Sequence, residues 1–283
     1  MEIYYYSKGC GLMKYTINEM ASIVGVSIET LRHYEDKGIL DPQRDKNNNY
    51  RLYSVGDIRK FNTSRTFRTF GFTIQETSDL LEWRSLEFVK ENINGKLEDM
   101  KKEKVFLEEK IKNLENFSEM LNEINNLKDG FLIKEMPDIY HFKTQRVDKY
   151  ERNLKNEKLK KQWIEYFPVT QWARRINNSA IKFMSEELQY DNGIMIECDI
   201  AKNIGFPQEL IKLADKIEGG KVWYTIFEKD DDEPYDWHIF KPIFQQISEN
   251  GYEVCGDIIT FYLSSTYKDD ILRNYHYCMI KIK

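Results

Sequence analysis

The chain has 283 residues, a formal net charge of −5, 41% apolar and 31% charged residues. That length fits two domains at about 150 residues each, and the balance gives enough apolar mass for packed cores rather than disorder. No window approaches the roughly 18 uncharged apolar residues of a membrane span, and an aromatic share of 14% allows an aromatic-lined pocket beside ordinary core.

Residues 1–14 read as an N-terminal extension. They lack the basic start and apolar centre of a secretion signal. Ile17, Met20, Ala21 and Val24 then share one helix face. Gly25 is placed to end that helix, and Ser27 to cap a second one at 28–37, stopped by Gly38. Two helices joined by a short Gly-containing turn make a helix-turn-helix. On the second helix Ile28, Leu31 and Tyr34 point inward, while the opposite arc carries Thr30, Arg32 and His33, types suited to base edges and phosphates. A hairpin follows, turned at Asn47, Asn48 and Asn49, since Asn tolerates positive φ. Its second strand presents Tyr50 and Arg51 near the tip. Ser54 with Asp57, and Thr73 with Glu76, are capping-box starts of two more helices, with Gly71 between them.

Residues 86–127 contain no proline and carry Leu86, Ile93, Met100, Leu107, Leu114 and Leu121 at seven-residue steps. The intervening row, Lys90, Leu97, Lys104, Ile111, Ser118 and Asn125, is mixed. This is a coiled-coil seam with polar interruptions, widened by Phe117 and Ile124; the competing reading is a long helix packed on its own chain.

Beyond Gly130 the spacing predicts strands at 131–136 and 138–143 and a basic helix at 150–166. Further strands are expected at 171–182, 193–200 and 221–227. A helix at 235–249 and strands at 258–263 and 276–282 complete the chain. Both halves read strand, helix, strand, strand, which suggests a duplicated unit. The four cysteines, Cys10, Cys198, Cys255 and Cys278, lie far apart and are expected as reduced thiols in a cytoplasmic protein. Residues 86–150 hold no cysteine and one histidine, His141, so no thiolate metal site is expected, nor any other metal or cofactor.

One ordered set of residues carries a specific resemblance. It comprises Thr30, Leu31, Arg32, His33, Tyr34 and Glu35; Gly38, Ile39 and Leu40; Pro42 and Arg44; Tyr50, Arg51, Leu52 and Tyr53; Asp57; and Gly71, Phe72, Thr73 and Ile74. The set resembles the MerR family of transcription regulators. Alone, Arg32 or Arg51 would read as a solvated surface charge, and residues 13–85 are only net +1. Order and placement carry the signal. The resemblance implies a winged helix-turn-helix that binds a palindromic promoter as a homodimer, its long helices paired antiparallel. It places Thr30, Arg32, His33 and Tyr34 on the recognition helix, and Arg44, Tyr50 and Arg51 on the wing. Asn49 stands where the family usually has Gly, and His33 where Tyr is frequent.

Residues 130–283 resemble, more loosely, the GyrI-like effector-binding domain found in MerR-type multidrug regulators, through Gly219, Gly220 and Lys221, then Asn250, Gly251, Tyr252 and Glu253, and the late Tyr262. This implies an aromatic pocket, often with a buried acid that meets a cationic drug. Tyr140, Phe142, Trp172, Tyr224, Tyr262 and Tyr277 are the candidates, each on a predicted strand; the alternative role of each is plain core. Relatives often carry Glu where this chain has Thr260, so the acid is either lost or supplied by Glu197 or Asp199 on another strand. Together the expectations are an α+β chain with an extension at 1–14, a DNA-binding domain at 15–85, a dimerisation helix at 86–128 and an effector domain at 130–283. The implied partners are promoter DNA, a small aromatic or cationic ligand, a second copy and, indirectly, RNA polymerase; no membrane is implied. The implied action is not catalytic, and works by bending an over-long promoter spacer. The rival is a hydrolase of small electrophiles, for which Thr260 is a poor base.

Overall fold

The structure is a computed structural model that describes residues 13–46, 48–82, 85–147, 154–181, 187–230, 235–268 and 271–283. Cys10, Asn47, the start of the predicted 150–166 helix and Lys182 lie outside them. The chain divides into two compact units, one ending at Lys101 and one beginning at Lys102.

In the first unit a short strand, β1 (Lys14–Tyr15), precedes α1 (Ile17–Val24) and α2 (Ile28–Asp36). The sequence did not announce β1. Thr16 and Glu19 form a reciprocal cap on α1, and Gly25 ends it at φ 69°, where its N–H reaches Ala21 O at 2.9 Å. Ser27 Oγ accepts from Thr30 N at 3.2 Å and starts α2. The wing pairs β2 (Gln43–Arg44) with β3 (Arg51–Ser54), and β1 joins the other edge of β3. Asn49 holds φ 58° in the turn, as the Asn-rich hairpin predicts. The helices α3 (Val55–Thr69) and α4 (Ile74–Leu81) start at the two expected capping boxes. Met20, Leu31, Ile39, Tyr53 and Phe61 form the core, each almost fully removed from water.

One continuous helix, α5 (Leu86–Leu127), follows; its 42 residues span about 63 Å. In the single chain Leu86, Met100, Leu107, Leu114 and Leu121 are all exposed, between 39% and 68%. Near its C-terminal end Met120, Ile124 and Leu127 pack onto the sheet of the second unit. Ile124 therefore belongs to the sheet-facing side of the helix and does not widen the exposed row.

The second unit is built on an eight-stranded antiparallel sheet. In chain order it contains β4 (Leu132–Met136), β5 (Ile139–Arg146), α6 (Leu154–Ile164), β6 (Gln171–Ile176), α7 (Asn178–Ile181) and β7 (Asp191–Glu197). There follow α8 (Cys198–Asn203), α9 (Gln208–Ile211), β8 (Asp215–Ile217), β9 (Gly220–Asp230), α10 (Trp237–Glu249), β10 (Val254–Lys268) and β11 (Ile271–Ile282). Spatially the order is β4-β9-β11-β10-β6-β7-β5-β8. Two series, β5-α6-β6-β7 and β9-α10-β10-β11, each place their third strand between the first and second. They meet where β10 pairs β6, with Ile258 opposite Ile176 and Thr260 opposite Arg174. The repeat suggested by the sequence is thus present in the topology.

Two predicted strands are shorter than expected. The 171–182 stretch leaves the sheet after Ile176 and coils into α7. The 193–200 stretch ends at Glu197, where the chain turns into α8. Asp199 therefore sits on a helix rather than a strand. Helices α8 and α9 and strand β8 were not legible, being only a few residues long and without a full period of apolar pattern. One sheet face carries Ile139, Met195, Tyr224, Ile259 and Tyr277 and is covered by the end of α5. On the other face α10 covers Trp223, Ile258 and Ile280, while α6, α8 and α9 pack around Phe142 and Ile194. Among the described residues no helix is long and apolar enough to cross a membrane.

Candidate nucleic-acid interface and ligand cavity

Helix α2 presents Arg32 and His33 to solvent. Its neighbours are less available. Thr30 is half-buried and its hydroxyl lies 3.1 Å from that of Ser27, inside the helix cap. Tyr34 is also half-buried, its ring 4.9 Å from Phe61, so it serves the rim of the core. On the wing Tyr50 is 69% exposed. Arg44 is exposed, and its Nη1 donates to Asn49 O at 3.3 Å across the hairpin.

Sequence reasoning missed the residue that joins these parts. Glu35, on the last turn of α2, accepts from Arg51 Nε at 2.8 Å and from the hydroxyl of Tyr53. One carboxylate therefore ties the recognition helix to the wing. Its side chain is 12% exposed and that of Arg51 36%. The hydrogen bond to Glu35 raises the Arg51 pKa above its already high ordinary value, so Arg51 stays charged. Glu35 was quoted within the ordered set, but its partners lie 16 and 18 residues away and only the fold brings them together. Other cations in this unit serve the backbone: Arg65 Nη1 donates to Val24 O at 2.8 Å, closing α1, and Arg68 Nη1 donates to Phe72 O.

Arg51→Ala should thus have two effects. It leaves Glu35 without its cation and should destabilise the first unit by about 1–2 kcal/mol, read as a lowered melting temperature. It should also weaken binding to all DNA sequences alike and reduce the salt slope by about one, the signature of a lost phosphate contact. An unchanged salt slope would confine Arg51 to the structural role.

The effector candidates divide between three places. Successive side chains of a strand point to opposite faces of its sheet. Trp172 and Tyr262, 45% and 54% exposed, line one cavity of about 320 Å³ with Thr260 and Arg174. Glu197 and Tyr224 line a second, of about 300 Å³, between the opposite sheet face and α5. Tyr277 lies fully buried behind Tyr224, its ring 4.6 Å away and the two hydroxyls in contact, and stacks on Phe261. Tyr140 and Phe142 line neither cavity. Phe142 stacks on Trp163 at 5.6 Å, and Tyr140 packs into the same cluster beside Cys198. Both alternate out of register with Ile139, which does face the second cavity.

The electrostatics of the cavities differ. In the second, burial raises the Glu197 pKa above the ordinary carboxylate range, opposed by Lys112. Lys134 Nζ lies over the Tyr224 ring at 4.0 Å and 3.7 Å from Glu123. In the first, no carboxylate contributes to the wall among the described residues, which include the cations Lys160 and Arg174. Thr260 is fully buried there, its hydroxyl 2.6 Å from that of Tyr235. Nearby His276 is pulled down to a pKa of about 3 by burial, then by Arg174 and Lys229. It is a weak base at neutral pH, and Thr260 supplies none, which disfavours general-base hydrolysis at this wall.

Comparison with known proteins bears on the first unit above all. Residues 15–82 match the family described as MerR HTH family regulatory protein. The HTH-type transcriptional activator mta of Bacillus subtilis is 29% identical over 142 residues, covering 50% of this chain and 55% of the relative. The HTH-type transcriptional activator TipA of Streptomyces coelicolor is 33% identical over 70 residues, 25% of this chain and 28% of the relative. The chain thus spans about half the length of the first relative and less of the second. A crystal structure of the N-terminus of the Bacillus subtilis multidrug transporter activator is 30% identical over 36% of this chain and 96% of that one, with a TM-score of 0.34. The ordered helix-turn-helix and wing set agrees with the matched span: residues 15–82 form a helix-turn-helix domain of the MerR type.

Proposed function

We propose that the protein is a ligand-responsive transcription regulator of the cytoplasm that binds a palindromic promoter operator as a homodimer and activates by distorting the DNA. The observation that carries this reading is the Glu35 clamp, which holds the exposed Arg32 and His33 of α2 in one rigid surface with the wing bearing Arg44, Tyr50 and Arg51. Pre-ordered donors of this kind suit a major groove flanked by phosphates. The exposed apolar row on α5 supports pairing with a second copy, since a stripe of large apolar side chains in water favours association.

The second unit supplies the sensor. A small aromatic ligand stacks at Trp172 and Tyr262, the aromatic faces of the first cavity that water reaches most freely. Ligand and DNA communicate through two states of the dimer, and the ligand shifts their balance only by its differential affinity for them. Operator affinity then changes little while transcription changes greatly, because RNA polymerase responds to the geometry of the spacer.

Footprinting of the full-length chain on its operator, with and without ligand, tests this. Ligand-dependent hypersensitive cleavage at the operator centre with protected flanks is expected. Complete loss of protection on adding ligand would identify an ordinary release repressor, and no protection in either state would remove the DNA-binding reading.

A further inference from the structure

We infer that the cavity at Trp172 and Tyr262 selects an aromatic anion, a carboxylate on a flat ring system, and that Arg174 is the residue that captures it. The inference rests on the reading of this cavity as the effector site and assigns its ligand class.

Two consecutive arginines on β6 have opposite surroundings. Arg175 faces one side of the sheet and is fully engaged, its Nε 2.7 Å from Asp257 Oδ2 and its Nη1 2.7 Å from Asp215 Oδ2. Arg174 faces the other side and has no ion pair among the described residues. Its Nε is buried without a hydrogen-bond partner. Its guanidinium is instead held against aromatic faces, 4.7 Å from the ring centroid of Tyr235 and 5.8 Å from that of Tyr190. Such packing fixes the orientation of the group but supplies no negative charge. Arg174 is half-buried, and a guanidinium partly withdrawn from water without a counter-ion carries a cost that a carboxylate meeting it through two parallel N–H···O bonds relieves.

The rest of the wall agrees. Lys160 is the other charged lining residue; Thr144, Gln145 and Asn192 also line the wall, their side chains donating to the backbone carbonyls of Asn192 and Val147. Thr260 lies directly opposite Arg174 across the β10–β6 pair. A carboxylate at that position would be an internal counter-ion; a threonine leaves the cation unanswered. The half-exposed rings of Trp172 and Tyr262 provide the flat apolar surface, so the complementary ligand is aromatic at one end and anionic at the other.

The test is calorimetric titration of the full-length chain, without DNA, with three probes of one shape. These are 2-naphthoate, its uncharged counterpart 2-naphthamide, and the cation 2-naphthylmethylammonium. The carboxylate is expected to bind at least tenfold more tightly than the amide, and the ammonium least of all. Arg174→Gln should abolish the preference for the carboxylate over the amide. Should that variant fail to fold, Thr260→Glu serves in its place: it supplies a fixed counter-ion and should weaken naphthoate binding at least tenfold. Equal affinity for carboxylate and amide, tightest binding of the ammonium, or no binding of any probe at millimolar concentration would each overturn the assignment. Operator protection by the same protein is measured separately, so a failure here is distinguishable from a failure of the regulator reading.

Discussion

Leu107→Lys combined with Leu114→Lys should yield monomers and abolish specific operator binding. Both side chains lie on one face of α5, a single helical heptad apart, and are 55% and 68% exposed in the isolated chain. Neither belongs to the apolar core of either unit, so the double variant should fold with an unchanged far-ultraviolet spectrum. Two lysines facing their symmetry mates would replace apolar burial with charge repulsion and desolvation. A palindrome read by one head retains only half its contacts. Affinity should therefore fall by about a thousandfold or more, toward non-specific levels. Light scattering and operator titration measure the two effects. A variant that remains dimeric would refute the proposed seam.

The second large effect concerns Arg32. Arg32→Ala should cost about 1–3 kcal/mol for each half-site, a loss of roughly fivefold to 150-fold per head, if its guanidinium reads a base edge. Arg32 is exposed on α2 and makes no hydrogen bond among the described residues, so truncation should leave the melting temperature almost unchanged. That separates it from Arg51, whose loss also disturbs Glu35. Specific affinity should fall while binding to unrelated DNA falls much less, and the discriminating measurement is the ratio of the two. Unchanged operator affinity would remove Arg32 from the reading surface.

The helix-turn-helix, the wing turn and the long helix were readable in the sequence because their determinants are local. A capping box is closed by residues three apart, as with Ser54 and Asp57 or Thr73 and Glu76. Gly25 and Asn49 announce positive φ by their own chemistry. The heptad row of α5 needs only its own spacing. The order of the longer strands and helices of the second unit was also legible, and with it the repeat; the short α8, α9 and β8 were not.

What remained hidden depends on residues distant in sequence. Glu35 acquired its role from Arg51 and Tyr53, which reach it through the wing. The aromatic candidates all looked alike on their strands, yet alternation and strand neighbours sent Tyr140 and Phe142 into a packed cluster. The same rules divided Trp172 and Tyr262 from Tyr224 and Glu197. Arg174 and Arg175 are adjacent, and sequence gives no reason to treat them differently. The sheet does so, because the pleat turns one toward two aspartates and the other toward two tyrosines. Composition and spacing determined that the chain has a helix-turn-helix head with a wing and an aromatic domain. Which charges in that domain stand unanswered was decided only by tertiary packing, since desolvation and ion pairing depend on what surrounds a side chain and not on what precedes it.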